Sequence, residues 1–254
     1  MTISLIVFAC VFCGTLAGTF VGLKLPGHYL DEDAKDAIKL ALGVMVMMSA
    51  LVLSLLVSSA KSSYDLKRTQ LTQIAADVIQ IDRFLALYGS ESNRARNALR
   101  DWVTELANRL QSSGEGQSSR ESHNIRDRTR DLYQTLVYQA LEALSPRDEE
   151  QKSLKAQALG VSLEVSKILA LALAQKSTSI PLAFLVILVF WLVVLFAGFG
   201  LFAPPNFATV TALAICNFSV SAAIFLILQM DQPFGGLMRI SVEPLRTALE
   251  TIGR

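Results

Sequence analysis

The sequence has little charge for its length. Only 18% of its 254 residues are charged, 52% are hydrophobic, and the formal net charge is +1. The mean hydropathy of +0.43 is positive, and charged residues fall well below the share of about 25% that is typical of soluble domains. A near-neutral balance gives no electrostatic basis for binding nucleic acid or an acidic substrate. The composition therefore predicts a protein of the lipid bilayer with no nucleic-acid partner.

Histidine and catalytic motifs are also scarce. The two histidines, His28 and His123, fall on opposite sides of the membrane in the topology that the apolar segments define, so they form neither a metal cluster nor a catalytic triad within one chain. No Walker motif occurs, no Gly-rich loop follows a strand, and no haem or iron–sulfur spacing is present. We therefore expect no enzyme activity, no catalytic residue, no cofactor and no metal site.

The few cysteines do not predict disulfides. Cys10, Cys13 and Cys216 all lie in apolar runs, where a thiol behaves as a small hydrophobic group. Cys10 and Cys13 form a CxxC pattern, but a redox pair needs a water-accessible helix N-terminus and this pair lies among phenylalanine and valine. We interpret all three as apolar residues.

Four stretches without a single charge are long enough to cross a bilayer. A spanning helix needs about 20 apolar residues, because unpaired backbone groups are costly in lipid. The first stretch lacks the basic start of a cleaved signal peptide, so we interpret it as a retained anchor. An Ala-Pro-Pro-Asn turn separates the last two stretches into a helical hairpin. The predicted spans are residues 2–23, 40–60, 180–202 and 207–230.

The distribution of basic residues predicts the orientation. Four spans place both termini and the large central segment on one side, and that side has more basic residues near the span ends. The positive-inside rule then places these parts in the cytoplasm. The predicted domains are 1–60 with the first two spans, 61–179 as a cytoplasmic helical domain, 180–230 as the hairpin, and 231–254 as a C-terminal turn and short helix.

The central segment has the apolar periodicity of a helical bundle. Apolar residues recur in steps of three and four from Leu71 to Tyr88, which is the pattern of a packed helix seam, and Gly89 follows as a helix end. Three more helices are predicted at about 91–110, 125–144 and from 147 towards the membrane. The seam can close within one chain or between chains, and we favour the internal bundle. The arginine-rich residues 120–130 predict an ion-paired, solvated face, with a lipid-headgroup or nucleotide site as the alternative.

Small and weakly polar residues recur within the spans at helical spacing. Gly14, Gly18 and Gly22 form two consecutive GxxxG steps, which flatten one helix face and predict close helix packing. Asn217 is predicted to make an interhelical hydrogen bond.

A row of small residues also follows one side of the second span. Ala50, Ser54, Ser58 and Ser62 are spaced four residues apart. Such a row either packs against a neighbouring helix or lines a water-filled path, since hydroxyl groups can replace part of the hydration of an ion. The spacing alone favours packing.

The segments after the fourth span and around the second span resemble a known family. The sequence DQPFGG at 231–236, with Asp231, Pro233, Phe234 and Gly235, is followed by LMRIS and EPL, and residues 51–65 read LVLSLLVSSAKSSYD. Together they resemble the bestrophin-like family of bacterial and plant membrane proteins. The resemblance implies an all-α fold with four spans, cytoplasmic termini, a helical cytoplasmic region and a post-membrane turn at these residues. True bestrophins are pentameric ion channels whose second span lines the pore.

Two departures from the bestrophin pattern limit what can be carried over. Gly236, Leu237 and Met238 occupy the positions where animal bestrophins have calcium-binding acidic residues, so the resemblance implies no calcium site. The second span contains no Phe, Tyr or Trp, so only aliphatic and Met side chains could form a hydrophobic gate.

These observations lead to one preferred function and one alternative. The first is a homo-oligomeric channel for a small inorganic ion, with Ala50, Ser54, Ser58 and Ser62 as the pore-lining candidates. An anion is favoured over a cation by the resemblance and by the slight basic excess of residues 61–179, with 17 Lys and Arg against 15 Asp and Glu. The alternative is a membrane-anchored scaffold or signalling module that recruits a partner through its cytoplasmic helices.

Overall fold

Helices are the regular structure throughout the described part of the chain. The structure, a computed structural model, describes residues 2–24, 32–112, 131–174, 182–204, 206–231 and 240–252. Within these residues the helices are α1 (Thr2–Lys24), α2 (Glu32–Tyr88), α3 (Asn93–Ser112), α4 (Gln139–Glu142), α5 (Glu149–Ala174), α6 (Leu182–Phe202), α7 (Phe207–Asp231) and α8 (Glu243–Thr251). A π-helical turn, Tyr133–Tyr138, leads directly into α4. The prediction of an all-α fold is confirmed.

Four of these helices are long and apolar enough to cross a membrane. The qualifying stretches are Ser4–Lys24, Lys35–Tyr88, Ala183–Phe202 and Phe207–Met230. They correspond to the four predicted spans, and the polytopic fold is confirmed. Residues 25–31, 113–130, 175–181 and 232–239 lie outside the described residues, and so do the predicted linker and the arginine-rich segment within 113–130.

The helix that contains the second span is much longer than the span itself. Helix α2 continues without a break for 57 residues, which at 1.5 Å per residue corresponds to about 85 Å. Residues 61–70 contain neither glycine nor proline, so nothing in their backbone chemistry interrupts the helix. The predicted span and the predicted seam helix are therefore one helix.

The chain divides into two compact units. One consists of Met1–Ser63 with Thr178–Asp231, and the other of Tyr64–Ser177 with Gln232–Arg254. The first contains the four apolar stretches, and we call it the transmembrane unit. We call the second the helical bundle. Helix α2 contributes residues to both.

The core of the transmembrane unit draws side chains from all four of its helices. Its buried members are Val7 and Val11 of α1, Leu56 and Ala60 of α2, Leu185, Leu188, Leu192 and Phe196 of α6, and Ile224 and Ile227 of α7. Successive contacts from α1 to α6 advance in the same direction along both helices, because Gly14 faces Val193 and Gly22 faces Leu201. The first and third spans are therefore parallel, as the four-span topology requires.

The apolar seam of α2 is buried within its own chain. Leu71, Val78, Ile81 and Leu85 are at most 5% exposed, and they pack with Trp102 and other apolar residues of α3, the π-helical turn, α5 and α8. Burying one such aliphatic side chain contributes about 1.5–3 kcal/mol. The internal bundle is thus the arrangement that forms. A scaffold that recruits its partner through this seam would first have to open the bundle.

The connection between α2 and α3 depends on one glycine and one serine. Gly89 adopts φ 112° and ψ −173°, a region that is open essentially to glycine alone. The hydroxyl of Ser92, in the 3₁₀ turn Ser90–Ser92, donates to the carbonyl oxygens of Leu85 (2.5 Å) and Gly89 (2.7 Å). These bonds satisfy carbonyl groups that the end of α2 would leave unpaired.

We expect Gly89→Ala to lower the free energy of unfolding by about 1–3 kcal/mol, because alanine is strained in this backbone conformation. Gly160→Ala is the matched control, since Gly160 lies inside α5 and an added Cβ meets no atom within 4 Å. The control should raise stability by about 0.5–1 kcal/mol. Thermal unfolding of the full chain in detergent, followed by circular dichroism, measures both changes. Equal effects at the two sites would contradict the conformation of Gly89.

Candidate functional site

Helix α2 leaves one side of its membrane-spanning part uncovered by the rest of the chain. The predicted pore-lining residues Ala50, Ser54, Ser58 and Ser62 are all exposed in the single chain. The opposite side of α2 packs into the transmembrane unit through Leu42, Ser49, Leu56 and Ala60, which are at most 9% exposed. These four residues fall within one sector of the helix, because steps of four residues nearly follow its 3.6-residue repeat. Met48, Leu55 and Val57 outside this sector are exposed as well. We call this sector the α2 stripe.

The chemistry of the α2 stripe changes along its length. Its first half carries Leu40, Met47 and Leu51, which are at least 70% exposed. Its second half carries the hydroxyl groups of Ser54 and Ser58, and charged residues at Lys61, Asp65 and Arg68 follow on the same side. Because large exposed apolar side chains lie at one end and hydroxyls at the other, the α2 stripe has an apolar half and a polar half.

The predicted glycine motif of α1 lies directly against α6. A Cβ on Gly18 would overlap the carbonyl oxygen of Ala197, and a Cβ on Gly22 would lie 2.6 Å from the carbonyl oxygen of Leu201. Real Cβ atoms do not approach backbone atoms so closely. The two helix backbones therefore touch at a distance that only glycine permits.

A further glycine of this contact was missed in the sequence. Gly200 of α6 faces the backbone and side chain of Thr19 and the carbonyl oxygen of Thr15 on α1. The signal was the Gly-Phe-Gly sequence at 198–200, whose two glycines fall on different sides of a helix. Only the partner helix determines which of the two must be small.

Buried polar side chains join α1 and α7 inside the transmembrane unit. Asn217 is fully buried, and its side-chain nitrogen donates to the hydroxyl of Thr15 (3.3 Å), which itself donates to the carbonyl oxygen of Val11 (3.0 Å). The predicted interhelical role of Asn217 corresponds to this contact. Among the described residues, the Asn217 Oδ1 and the hydroxyls of Ser49 and Ser221 are buried without a hydrogen-bond partner. Such groups are usually satisfied by ordered water.

The predicted post-membrane turn is only partly visible. Asp231 is the last residue of α7. Pro233, Phe234 and Gly235 lie outside the described residues, as do Gly236 to Met238, where the departure from the calcium-binding pattern occurs.

The described cavities and side-chain clusters contain no arrangement of catalytic groups. A groove of about 290 Å³ lies between α2 and α6, and it is lined by Lys39, Leu42, Gly43, Val46, Phe199, Phe202 and Ala203. Its one ionisable group, Lys39, pairs with Asp36 at 2.9 Å in an exposed setting. Among the described residues, no three His, Cys, Asp or Glu side chains come together as a metal site would require.

The helical bundle contains a partly buried ion pair between its first two helices. Two nitrogens of the Arg96 guanidinium group, Nε and Nη2, donate to the carboxylate of Asp82, at 2.7 and 3.0 Å. The hydrogen bond with Asp82 raises the pKa of Arg96 above its ordinary value. Removal of one partner from such a pair leaves an uncompensated charge in the bundle.

Comparison with known proteins agrees with this architecture. Four membrane-spanning helices with an attached helical bundle define a polytopic α-helical membrane protein. The family model of the bestrophin-like domain matches residues 9–245. The chain therefore belongs to the bestrophin-like family, and the resemblance drawn from the sequence is confirmed. No curated protein and no solved structure matches the chain.

We expect Gly18→Ala to destabilise the transmembrane unit by about 1–3 kcal/mol, because the added methyl group overlaps a backbone carbonyl that cannot move independently of α6. Gly43→Ala is the control, since Gly43 lies in α2 and an added Cβ meets no atom within 4 Å. The monodisperse fraction that survives heating in detergent, measured by size-exclusion chromatography, should fall for Gly18→Ala alone. Equal survival of the two variants would show that α1 and α6 are not in backbone contact.

Proposed function

We propose that the protein is a homo-oligomeric ion channel, in which the α2 helices of several subunits surround an axial path for a small inorganic ion. The observation that carries the proposal is the α2 stripe, which places Ser54 and Ser58 on the uncovered side of a membrane-spanning helix. A single subunit gives these hydroxyls no enclosed polar surroundings. A ring of subunits with the stripe turned inwards would give the hydroxyls enclosed polar surroundings.

The exposed hydroxyls of α7 are satisfied within their own helix. Thr211 and Ser219 donate to the carbonyl oxygens four residues earlier in their own helix, at 2.8 and 2.9 Å. This local bond is the usual solution for a hydroxyl in a membrane helix. Ser219 is therefore the natural comparison for Ser54 and Ser58, since all three are exposed serines in spans but only two belong to the stripe.

The two halves of the α2 stripe have different roles in ion conduction. Ser54 and Ser58 at the polar half replace part of the hydration of the passing ion, and the apolar half around Met47 and Leu51 forms a narrow, poorly hydrated stretch that limits flow. Hydroxyl hydrogens stabilise an anion. Anions are also favoured by the basic excess of residues 61–179 and by the family resemblance, which in addition implies five subunits.

The orientation follows from the charges beside the spans. We place the helical bundle and both termini in the cytoplasm and the four spans in a bacterial inner membrane, with domains at 1–60, 61–179, 180–230 and 231–254. The parallel course of α1 and α6 supports a single crossing by α2 between them, and the basic residues near the span ends support the direction.

Cysteine accessibility in planar bilayers tests the proposal. In a background with Cys10, Cys13 and Cys216 replaced by alanine, Ser54→Cys and Ser58→Cys should conduct and then lose most of their current when a charged, water-soluble thiosulfonate reagent is added. The reason is that a charged adduct on the α2 stripe obstructs the path and repels ions of its own sign. Ser219→Cys is the matched control and should keep its current.

Two results would contradict the channel. One is the absence of conductance from wild-type protein under varied pH, calcium and voltage. The other is equal current loss at Ser219→Cys and Ser58→Cys, which would mean that the reagent acts without regard to the α2 stripe.

A further inference from the structure

Helix α2 carries two buried carboxylates whose surroundings differ sharply. Asp77 is 6% exposed and Asp82 is 7% exposed. The negative charge of Asp82 is compensated by the guanidinium of Arg96, which donates two hydrogen bonds to the carboxylate. For Asp77, Oδ1 accepts a hydrogen bond from the Gln73 side-chain nitrogen at 2.8 Å, but the buried Oδ2 has no hydrogen-bond partner in the described part of the chain. An unpaired buried carboxylate is far less favourable than its neutral form.

The groups that act on Asp77 do not neutralise it. Burial raises the pKa of Asp77 above its ordinary value, the hydrogen bond from Gln73 opposes this shift, and the negative charge of Glu164 on α5 adds to it. The remaining titratable neighbour is Tyr133, whose own pKa is raised mainly by burial and further by the charge of Asp77. Among the described residues, no cation lowers the pKa of Asp77.

The charge of Asp77 acts on an irregular element of the bundle. Tyr133 begins the π-helical turn Tyr133–Tyr138, and its hydroxyl lies 2.7 Å from the hydroxyl of Ser162 on α5. Its ring also meets Trp102 of α3 edge to face, with centroids 4.7 Å apart. A π-helical turn is a rare insertion into a helix and is frequent at functional positions. The buried carboxylate therefore lies near the π-helical turn, as its electrostatic effect on Tyr133 indicates.

We propose that Asp77 is a buried proton-binding site whose occupancy controls how tightly the helical bundle closes on α2. With the proton bound, the neutral carboxyl group is compatible with a dry interior and the bundle is tight. With the proton released, the carboxylate draws water towards Tyr133 and the π-helical turn, and the bundle loosens there. Because Ser54, Ser58 and Asp77 lie on the same continuous helix, proton binding would regulate conduction; this last step rests on the proposed function.

The direction of the pH dependence follows from linkage. A carboxyl group whose pKa is raised by folding binds its proton more tightly in the folded chain than in the unfolded chain. Its contribution to stability is present at low pH and is lost as the pH rises through the folded-state pKa. Replacing Asp77 by asparagine should therefore stabilise the protein at pH 8 and have little effect at low pH.

The test compares wild type, Asp77→Asn and Asp82→Asn as full-length chains in detergent from pH 8 down to the ordinary aspartate pKa of 3.8. At pH 8 the Tm of Asp77→Asn should exceed that of wild type by roughly 2–4 °C, and the gap should close on acidification. Asp82→Asn should lower the Tm throughout, since it leaves Arg96 without its carboxylate. Hydrogen exchange in residues 133–144, corrected for intrinsic rates, should be several-fold faster at pH 8 than at the acidic end of this range in wild type and should lose this difference in Asp77→Asn.

The outcomes separate this proposal from the channel. A Tm of Asp77→Asn equal to or below that of wild type at pH 8, failure of this variant to fold, or a gap that does not vary with pH overturns the proton site. If the Tm gap and the exchange difference appear but no conductance is found, the proton site stands and the channel fails. If conductance is found, its pH dependence should be weaker in Asp77→Asn than in wild type.

Discussion

The fold depends on the need of every backbone amide and carbonyl group in hydrocarbon to find a partner within its own segment. Lipid offers no hydrogen bonds, so each uncharged tract must be helical across its whole width. The consequence in this chain is four helices whose ends lie close to the first charged or helix-breaking residues. Helix α2 is the exception because residues 61–70 contain neither glycine nor proline to interrupt it, and the helix continues into the bundle.

Once the helices are formed, packing between them cannot be driven by the hydrophobic effect, because lipid is as apolar as the side chains. The transmembrane unit relies on close backbone approach and on polar contacts. Gly18 and Gly22 on α1 and Gly200 on α6 allow the close backbone approach. Asn217 provides the polar contact. The helical bundle is held by ordinary burial of aliphatic and aromatic side chains, with the Asp82–Arg96 pair fixing α2 against α3. One helix thus takes part in two kinds of core.

Much of this could be predicted from the sequence, and the reasons for success and failure are physical. Length and absence of charge identify the spans, the three-four spacing identifies the seam, and Gly89 marks its end, because each signal is local. The continuity of α2 was missed because the change from apolar to charged residues resembles a domain boundary, although it does not break a helix. The α2 stripe and the α1–α6 contact were recognised as patterns, but the choice between packing and exposure requires the partner helices. The π-helical turn and the unpaired Oδ2 of Asp77 have no sequence signal, since both arise from how distant segments meet.

The central claim is that the α2 stripe faces an ion path shared by several subunits. Single-particle imaging of the full-length protein in lipid nanodiscs tests it most directly, because it shows subunit number and helix rotation together. The account predicts a symmetric ring with Ser54 and Ser58 of every subunit turned towards a central opening. A monomer, a closed dimer, or a ring whose axis is lined by another helix would contradict it.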